Sequence, residues 1–222
     1  MTPPRETDDT AARTRWLSDA LAGRMPLPGM PDEEASLRVL RAVRKLPPSA
    51  QPSVAAACVA LVRAFANDGH GEAAYHDALL HLAGALRLAE VGPALRALGE
   101  DPVRWQGLPV PTKRQVLLAL LAVRADADAA FWSARFDEEP AAFAGPVFCA
   151  LLALDPSRMR ELWPKLPAEH TVASIAAFTL EKALAAATDA DRQRLWCEAV
   201  AVLPQLPDEV LRSALSDVLA GR

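Results

Sequence analysis

Three of the four histidines fall within twelve residues, in the segment NDGHGEAAYHDALLH. His70, His76 and His81 could suggest a metal site, because imidazole is a common zinc ligand. His76 and His81 are five residues apart, which places them about 140° apart around a helix. Relative to the apolar stripe of that helix, His76 flanks it and His81 points nearly opposite. Glu72 shares a face with His76, but two ligands do not complete a site. We therefore expect solvated or edge-packed histidines, no metal and no other cofactor.

Three basic residues, Arg38, Arg41 and Lys45, form the strongest candidate for a binding surface. They lie within about 60° of each other on one predicted helix, opposite its apolar side. They could contact an acidic partner or a phosphate group. An ordinary solvated face, paired in part with Glu34, which lies four residues before Arg38, is the favoured interpretation. If this helix lies on a concave face of the helical stack, we expect these three residues to form the contact surface for a partner.

An aromatic cluster is bracketed by acidic residues. The aromatic residues are Phe131, Trp132 and Phe136, and the acidic residues are Asp126, Asp128, Asp137, Glu138 and Glu139. A pair of these carboxylates could act in acid–base catalysis, but helix capping and first-turn acids explain them more simply. The aromatic side chains could anchor a partner protein. Core packing between helix hairpins is the favoured interpretation.

No motif that carries catalytic chemistry is present in the sequence. A Gly-x-Ser-x-Gly elbow, a phosphate loop, a Cys-x-x-Cys pair and a His-Glu-x-x-His motif are all absent. Cys58, Cys149 and Cys197 are far apart and lie in apolar helical contexts, where free cysteine acts as a small hydrophobe. An odd number of such cysteines predicts a reducing compartment without disulfides. The sequence therefore favours a protein that is not an enzyme.

Charge and hydropathy restrict the class of partner. The formal net charge is -4, and no block of one sign occurs. Proteins that hold a nucleic-acid backbone are expected to be basic, so nucleic acid is disfavoured as the partner. The longest apolar run, residues 141–154, is interrupted by Gly145 and Pro146 and is too short to span a bilayer. The polar and acidic N-terminus does not resemble a signal peptide. We expect a soluble, cytoplasmic protein without membrane contact.

The composition predicts that helices position these candidate residues. The apolar share is 51% of residues, much of it alanine and leucine, which favour helix. The spacing of apolar residues predicts about ten helices joined by proline-bearing turns. Residues 1–31 are expected to form an N-terminal helix and a proline-rich link, and residues 32–222 a single helical-repeat domain. The segment from Val116 to Val123 is apolar on nearly every side, which predicts a central helix with neighbours all round it.

Two further expectations concern tryptophans. Residues 99–111 are expected to form a long link that contains Trp105, because glycine and proline occur repeatedly there. A helix near the C-terminus is expected to use one apolar stripe, formed by Leu195, Trp196, Ala199 and Leu203.

The segment from Val91 to Arg104 resembles the first helix and turn of a HEAT repeat. The matching residues are Pro93, Leu95, Leu98, Asp101, Val103 and Arg104. In that family a proline bends the first helix, and the aspartate and arginine lie at and just after the turn. The resemblance covers 14 of 222 residues, and Trp105 to Pro111 intervenes before the second helix. It implies stacked antiparallel helix pairs with a concave face that binds a partner, and it implies no activity.

The sequence thus predicts an all-α fold of stacked antiparallel helix pairs, either a HEAT-like α-solenoid or an irregular helical bundle. The predicted function is a non-catalytic protein-binding module: an adaptor, an assembly factor or an inhibitor that uses one face of the stack. An enzyme or a nucleic-acid-binding protein on a HEAT-like scaffold is the first alternative. A carrier of a metal or a small ligand is the second.

Overall fold

The chain is all-α. The computed structural model describes residues 10–24, 27, 35–68, 73–123, 129–138, 142–143, 146–147, 150–151, 154, 170–206 and 209–221. Eleven bounded α-helices and no strand occur within these ranges, which confirms the predicted fold class. Alanine and leucine lose little rotamer freedom in a helix, and a proline follows the helices that end at Arg44, Gly107 and Val202.

The internal contacts divide the chain into two compact units, Met1–Asp126 and Ala127–Arg222. The helices of the first unit are α1 (Thr10–Leu21), α2 (Ala35–Arg44), α3 (Gln51–Asp68), α4 (Ala73–Ala85), α5 (Gly92–Glu100), α6 (Pro102–Gly107) and α7 (Val110–Ala122), with a 3₁₀ turn at Ala89–Val91. The helices of the second unit are α8 (Ala129–Glu138), α9 (His170–Ala186), α10 (Asp189–Val202) and α11 (Glu209–Leu219), with a 3₁₀ turn at Leu203–Gln205. The predicted boundary between residues 31 and 32 lies outside the described residues.

Helices α3 and α4 form the centre of the first unit. Helix α3 contacts α1, α2, α4 and α5, and α4 contacts α1, α2, α3 and α7. On α4, four residues are fully buried: Leu79, Leu80, Leu82 and Ala83. Helix α7 packs chiefly on α4 and α5. Its residue Ala122 is exposed, so the prediction that this helix has neighbours all round it is wrong. The apolar residues on its outer side line a cleft instead of a core.

The segment predicted to be a long link contains a short helix, α6. Pro102 lies in the first turn of α6, where a missing N–H costs nothing. The Oδ1 atom of Asp101 accepts hydrogen bonds at 3.0 Å from the backbone N–H groups of Val103 and Arg104. Trp105 is fully buried and holds this helix against the core.

Arg104 ties the start of α6 to a helix distant in sequence. Its Nε atom donates to Oδ2 of Asp101 at 2.7 Å, and its Nη1 atom donates to the backbone carbonyl of Ala66 on α3, also at 2.7 Å. Charge-assisted hydrogen bonds of this length are stronger than neutral ones. Asp101 therefore caps α6 and also orients the side chain that fixes α6 to α3.

In the second unit, α9 packs against α11, and α10 contacts both of them. The buried stripe of α10 consists of Leu195, Ala199 and Val202. Trp196 is 44% exposed and its Nε1 atom donates to the carbonyl of Leu219 at 3.3 Å. The prediction that Trp196 belongs to the apolar stripe is therefore wrong, because the indole turns outward to reach a carbonyl at the end of α11 that has no partner within its own helix.

The aromatic pair on α8 belongs to a core. Phe131 and Trp132 are buried, and their rings meet edge to face with centroids 5.4 Å apart. This geometry is a favourable one for aromatic pairs. Core packing is thus confirmed for these two residues. The side chain of Phe136 and residues Asp126 and Asp128 lie outside the described residues.

The charge of Asp101 is expected to make the stability of the first unit depend on pH. The backbone hydrogen bond from Arg104, followed by the side-chain hydrogen bond from the same residue, lowers the pKa of Asp101 from its ordinary value of 3.8. A carboxylate with a lowered pKa stabilises the folded state above the unfolded-state pKa, and this contribution is lost as the pH falls through the folded-state pKa. Asp101→Asn keeps a capping oxygen but removes the charge.

Urea unfolding of the wild type and of Asp101→Asn at several pH values measures this contribution. The wild type is expected to be more stable near neutral pH, and the difference is expected to shrink below pH 3.8. Asp101→Ala, which also loses the cap, should be less stable than either protein at neutral pH. A difference between the wild type and Asp101→Asn that does not change with pH would contradict this role of the charge.

Candidate functional site

A cleft of about 740 Å³ opens in the first unit between the ends of α2 and α4 and the outer side of α7. Its accessible apolar surface comes from Leu118 and Leu121 on α7, while Leu80 on α4, which also borders the cleft, is fully buried. Both α7 leucines are half-buried. The cleft therefore offers aliphatic surface that the described part of the unit does not cover completely.

Small residues form the floor of the cleft, where α4 approaches α7. Gly84 and Ala85 come from α4, and Ala119 and Ala122 come from α7. A Cβ atom on Gly84 would lie 3.3 Å from Cβ of Ala122 and 3.5 Å from Cα of Ala119. The first distance is tighter than ordinary van der Waals contact, so the absence of a side chain at residue 84 sets the separation of these two helices.

Four polar residues line the described part of the cleft. Arg44 comes from the end of α2, Arg87 from the turn after α4, His81 from α4 and Gln115 from α7. Within the described part of the chain, no carboxylate lines the cleft, and neither Arg44 nor Arg87 forms an ion pair. Both arginines are exposed. The two arginines of the described lining thus both carry positive charge.

Arg87 has a backbone conformation that L-amino acids rarely adopt, with φ at 53°. It follows α4 in a Schellman-type ending, in which the N–H of Leu88 donates to the carbonyl of Ala83 at 3.2 Å and the N–H of Arg87 donates to the carbonyl of Gly84 at 3.0 Å. Glycine is the usual residue at this position because it has no Cβ atom.

The identity of residue 87 is not explained by stability alone. A left-handed conformation costs a non-glycine residue roughly 1–2 kcal/mol. A cation at a helix C-terminus gains about 0.3–1 kcal/mol from the helix dipole at an exposed site. Glycine avoids the strain but loses about 0.5–1 kcal/mol more in conformational entropy on folding, so glycine and arginine at residue 87 have similar effects on stability. The left-handed conformation of Arg87 at the cleft motivates a functional hypothesis for its side chain.

His81 links the cleft to α2. Its Nδ1 atom lies 3.0 Å from Oγ of Ser36, and this hydrogen bond joins α4 to α2. The imidazole does not point directly away from the apolar side of α4, because it faces the groove between α4 and α2. The hydrogen bond fixes the ring at the wall of the cleft, which positions it without making it a metal ligand.

His76 is packed against aromatic rings. It is 5% exposed, and its ring lies 4.4 Å from that of Phe65 and 5.5 Å from that of Tyr75, measured between centroids. These three residues also line a second cavity of about 620 Å³. His70 lies outside the described residues. In the ranges described, no group of three or more His, Cys, Asp or Glu side chains could hold a metal ion.

The predicted partner-binding residues lie beside the cleft. Arg41 and Lys45 are exposed and Arg38 is half-buried, while Val39 and Val43 on the other side of α2 are buried. Glu34, the predicted partner of Arg38, lies outside the described residues. Sequence reasoning missed Arg44 and Arg87. Arg44 could have been found from its spacing, three residues after Arg41, whereas Arg87 carries no signal in the sequence.

The chain was compared with known protein families, curated proteins and solved structures. No family model, no curated protein and no solved structure matches the chain. Among the described helices, none combines the length and the apolar character needed to cross a membrane.

A large side chain at residue 84 is expected to separate α4 from α7. Gly84→Leu should lower the free energy of unfolding by about 1–3 kcal/mol, because the added atoms meet Ala122 and the backbone of Ala119. Gly107→Leu is the matched control, since a Cβ atom there has nothing within 4 Å. Chemical denaturation checks both variants. Equal stability of the two would show that the helices do not depend on the missing side chain.

The two described cysteines are expected to differ in reactivity. Burial raises the pKa of the Cys58 thiol to about 12, and the side chain is fully buried. Cys197 is exposed. Because the thiolate is the reactive form, iodoacetamide at about pH 8 should alkylate Cys197 in the folded protein and reach Cys58 only after denaturation. Peptide mass spectrometry measures both sites, and rapid alkylation of Cys58 in the folded protein would contradict the buried position of this residue.

Proposed function

We propose that this chain is a non-catalytic protein-binding module that holds an acidic segment of a partner protein against α2 and in the adjoining cleft. The observation that carries the proposal is the concentration of positive charge in and beside the cleft. The proposed contact residues are Arg38, Arg41 and Lys45 on and after α2, together with Arg44 and Arg87.

The sign of the charge on these elements differs from that of the whole chain. Helix α2 contains three arginines and no acid, and α7 contains Lys113 and Arg114 and no acid. The chain as a whole has a formal net charge of -4. A local positive surface on an acidic protein attracts a negatively charged partner and steers its approach.

The groups in the cleft suit binding of an anion. A guanidinium stays protonated in proteins and acts as a fixed donor, so Arg44 and Arg87 can hold an anion but cannot act as general bases. Gln115 adds a neutral donor and acceptor, and the ring of His81 is held by Ser36. These groups favour an adaptor, an assembly factor or an inhibitor over an enzyme.

The apolar walls favour a protein over a nucleic acid as the partner. Proteins that bind single strands stack bases on aromatic rings, and the walls of this cleft are aliphatic, with Leu118 and Leu121. An acidic protein segment with aliphatic side chains complements both the charge and the walls. The free thiols of Cys58 and Cys197 support a location in a reducing compartment such as the cytoplasm.

A HEAT-like scaffold is part of the same proposal. Pro93 lies in the first turn of α5, Asp101 caps the helix that follows, and Arg104 pairs with Asp101. The pairing of Asp101 with Arg104 agrees with what the resemblance implies for the turn, whereas Pro93 lies at the start of α5 and not within it. In the HEAT family one face of stacked helices binds partners. Fold resemblance alone is a weak argument for function, so the charge pattern remains the main support.

Charge reversal on α2 tests the proposal. The variant Arg38→Glu, Arg41→Glu, Lys45→Glu is expected to lose partners that the wild type captures from cells of the source organism, because like charges repel across an interface. Zero-length carbodiimide cross-linking, which joins lysine amines to carboxylates, should connect Lys45 of the wild type to Asp or Glu residues of those partners. Mass spectrometry identifies the linked residues.

The matched control reverses three exposed bases elsewhere: Arg15→Glu, Arg63→Glu and Lys182→Glu. This control has the same change in net charge and is expected to capture the same partners as the wild type. Equal capture by the α2 variant and the wild type, or cross-links through Lys182 in place of Lys45, would overturn the proposed surface.

A further inference from the structure

Two arginines from different helix ends line the same cleft. Arg44 is the last residue of α2 and Arg87 follows α4, and both line the cleft between α2, α4 and α7. Within the described residues neither has a partner carboxylate. Other arginines of the same unit do pair, since Arg96 binds Glu100 at 2.8 Å and Arg104 binds Asp101 at 2.7 Å. As far as the described residues show, no carboxylate of the chain competes with an outside anion for Arg44 and Arg87.

The backbone conformation of Arg87 supports a role for its side chain in binding and not in folding. Its φ of 53° lies in the region that favours glycine. A glycine at residue 87 would preserve the backbone hydrogen bonds from residues 87 and 88 that end α4. The side chain, and not the backbone, is consequently what residue 87 adds to the molecule.

We propose that Arg44 and Arg87 form a clamp for the carboxylate of an Asp or Glu side chain on an amphipathic partner helix. This inference rests on the proposed protein-binding function and names the chemistry of its partner. Guanidinium binds carboxylate with two parallel hydrogen bonds, which gives direction as well as charge complementarity. His81 and Gln115 lie in the same lining and provide further hydrogen-bonding groups beside the clamp.

The rest of the cleft specifies a helix as the occupant. Leu118, Leu121 and Ala122 follow one side of α7, and Ala85 lies across from them on α4. Small residues on the floor allow another backbone to approach closely, while the leucines provide contacts for aliphatic side chains. Amphipathic helices bind such grooves with apolar anchors spaced three and four residues apart. An acidic residue at one edge of that helix would then reach the two arginines.

Arg87→Gly is the variant that separates binding from folding. It removes the guanidinium and relieves the left-handed strain, so the expected result is an unchanged or higher Tm together with weaker binding. Arg44→Gln is a second variant at an exposed position of α2, where folding is not at risk. Arg87→Lys keeps the charge but loses the paired hydrogen bonds, and it should bind with intermediate affinity.

The probes are two fluorescein-labelled amphipathic peptides of about 18 residues, long enough to sustain some helix. They carry leucine at helical spacing and either glutamate or glutamine on one edge, and fluorescence anisotropy measures their affinity. The wild type is expected to bind the glutamate peptide about tenfold more tightly than the glutamine peptide. Arg87→Gly and Arg44→Gln should each remove most of that preference and leave affinity for the glutamine peptide unchanged.

Three outcomes overturn the clamp. Equal affinity of the wild type for both peptides, including a failure to bind either, excludes carboxylate recognition. Loss of binding together with a lower Tm in Arg87→Gly, with Arg44→Gln unaffected, assigns the arginine a structural role. Tighter binding of a labelled oligothymidine than of the glutamate peptide indicates a phosphate site. A separate experiment tests the proposed function. That function is contradicted if the charge-reversed α2 variant captures the same cellular partners as the wild type.

Discussion

Helices α4 and α7 lie as close as they do because residue 84 has no side chain. A Cβ atom on Gly84 would lie 3.3 Å from that of Ala122, so even one methyl group would press on the opposite helix. Close packing of this kind transmits small changes in volume to the helix positions. Because α4 and α7 lie so close together, residues from the end of α4 and from the outer side of α7 line the same cleft.

Charge and backbone strain coincide at this cleft. Acidic residues outnumber basic ones in the chain as a whole, yet α2 and α7 carry only basic charged residues. At the same place Arg87 occupies a position where glycine would be less strained. Elsewhere in the unit, arginine has a structural role that is fully visible, as in the pairing of Arg104 with Asp101 and Ala66. Arg104 thus has a structural role in the fold, whereas Arg87 forms no ion pair with any residue in the described part of the chain.

Local sequence patterns predicted most helices, whereas the residues of the cleft are brought together by tertiary packing, which those patterns do not show. Alanine and leucine content predicted an all-α chain, and the apolar context of Cys58 matched its buried position. Residues 99–111 were predicted to form a link because they contain several prolines, but Pro102 begins a helix there. Trp196 is outside the apolar stripe since its indole N–H reaches a carbonyl of another helix. That contact joins residues far apart in sequence, so no local pattern could show it.

The basic surface was predictable in part. Arg38, Arg41 and Lys45 share a face by helical periodicity, which needs only the spacing of residues along α2. Arg87 joins Arg44 only because α4 packs beside α2, and residues so far apart in sequence meet through the fold. Its left-handed conformation is equally hidden, since arginine is not a residue that marks a helix end of this type.

Hydrogen exchange of the chain with and without its captured partner tests the central claim most directly. Peptides that cover residues 41–46, 84–88 and 115–122 are expected to exchange more slowly in the complex, because the partner covers the cleft and the adjoining end of α2. Peptides from α3 and α10 should exchange at the same rate in both states. Protection confined to those control helices, with no change around the cleft, would contradict the proposed binding surface.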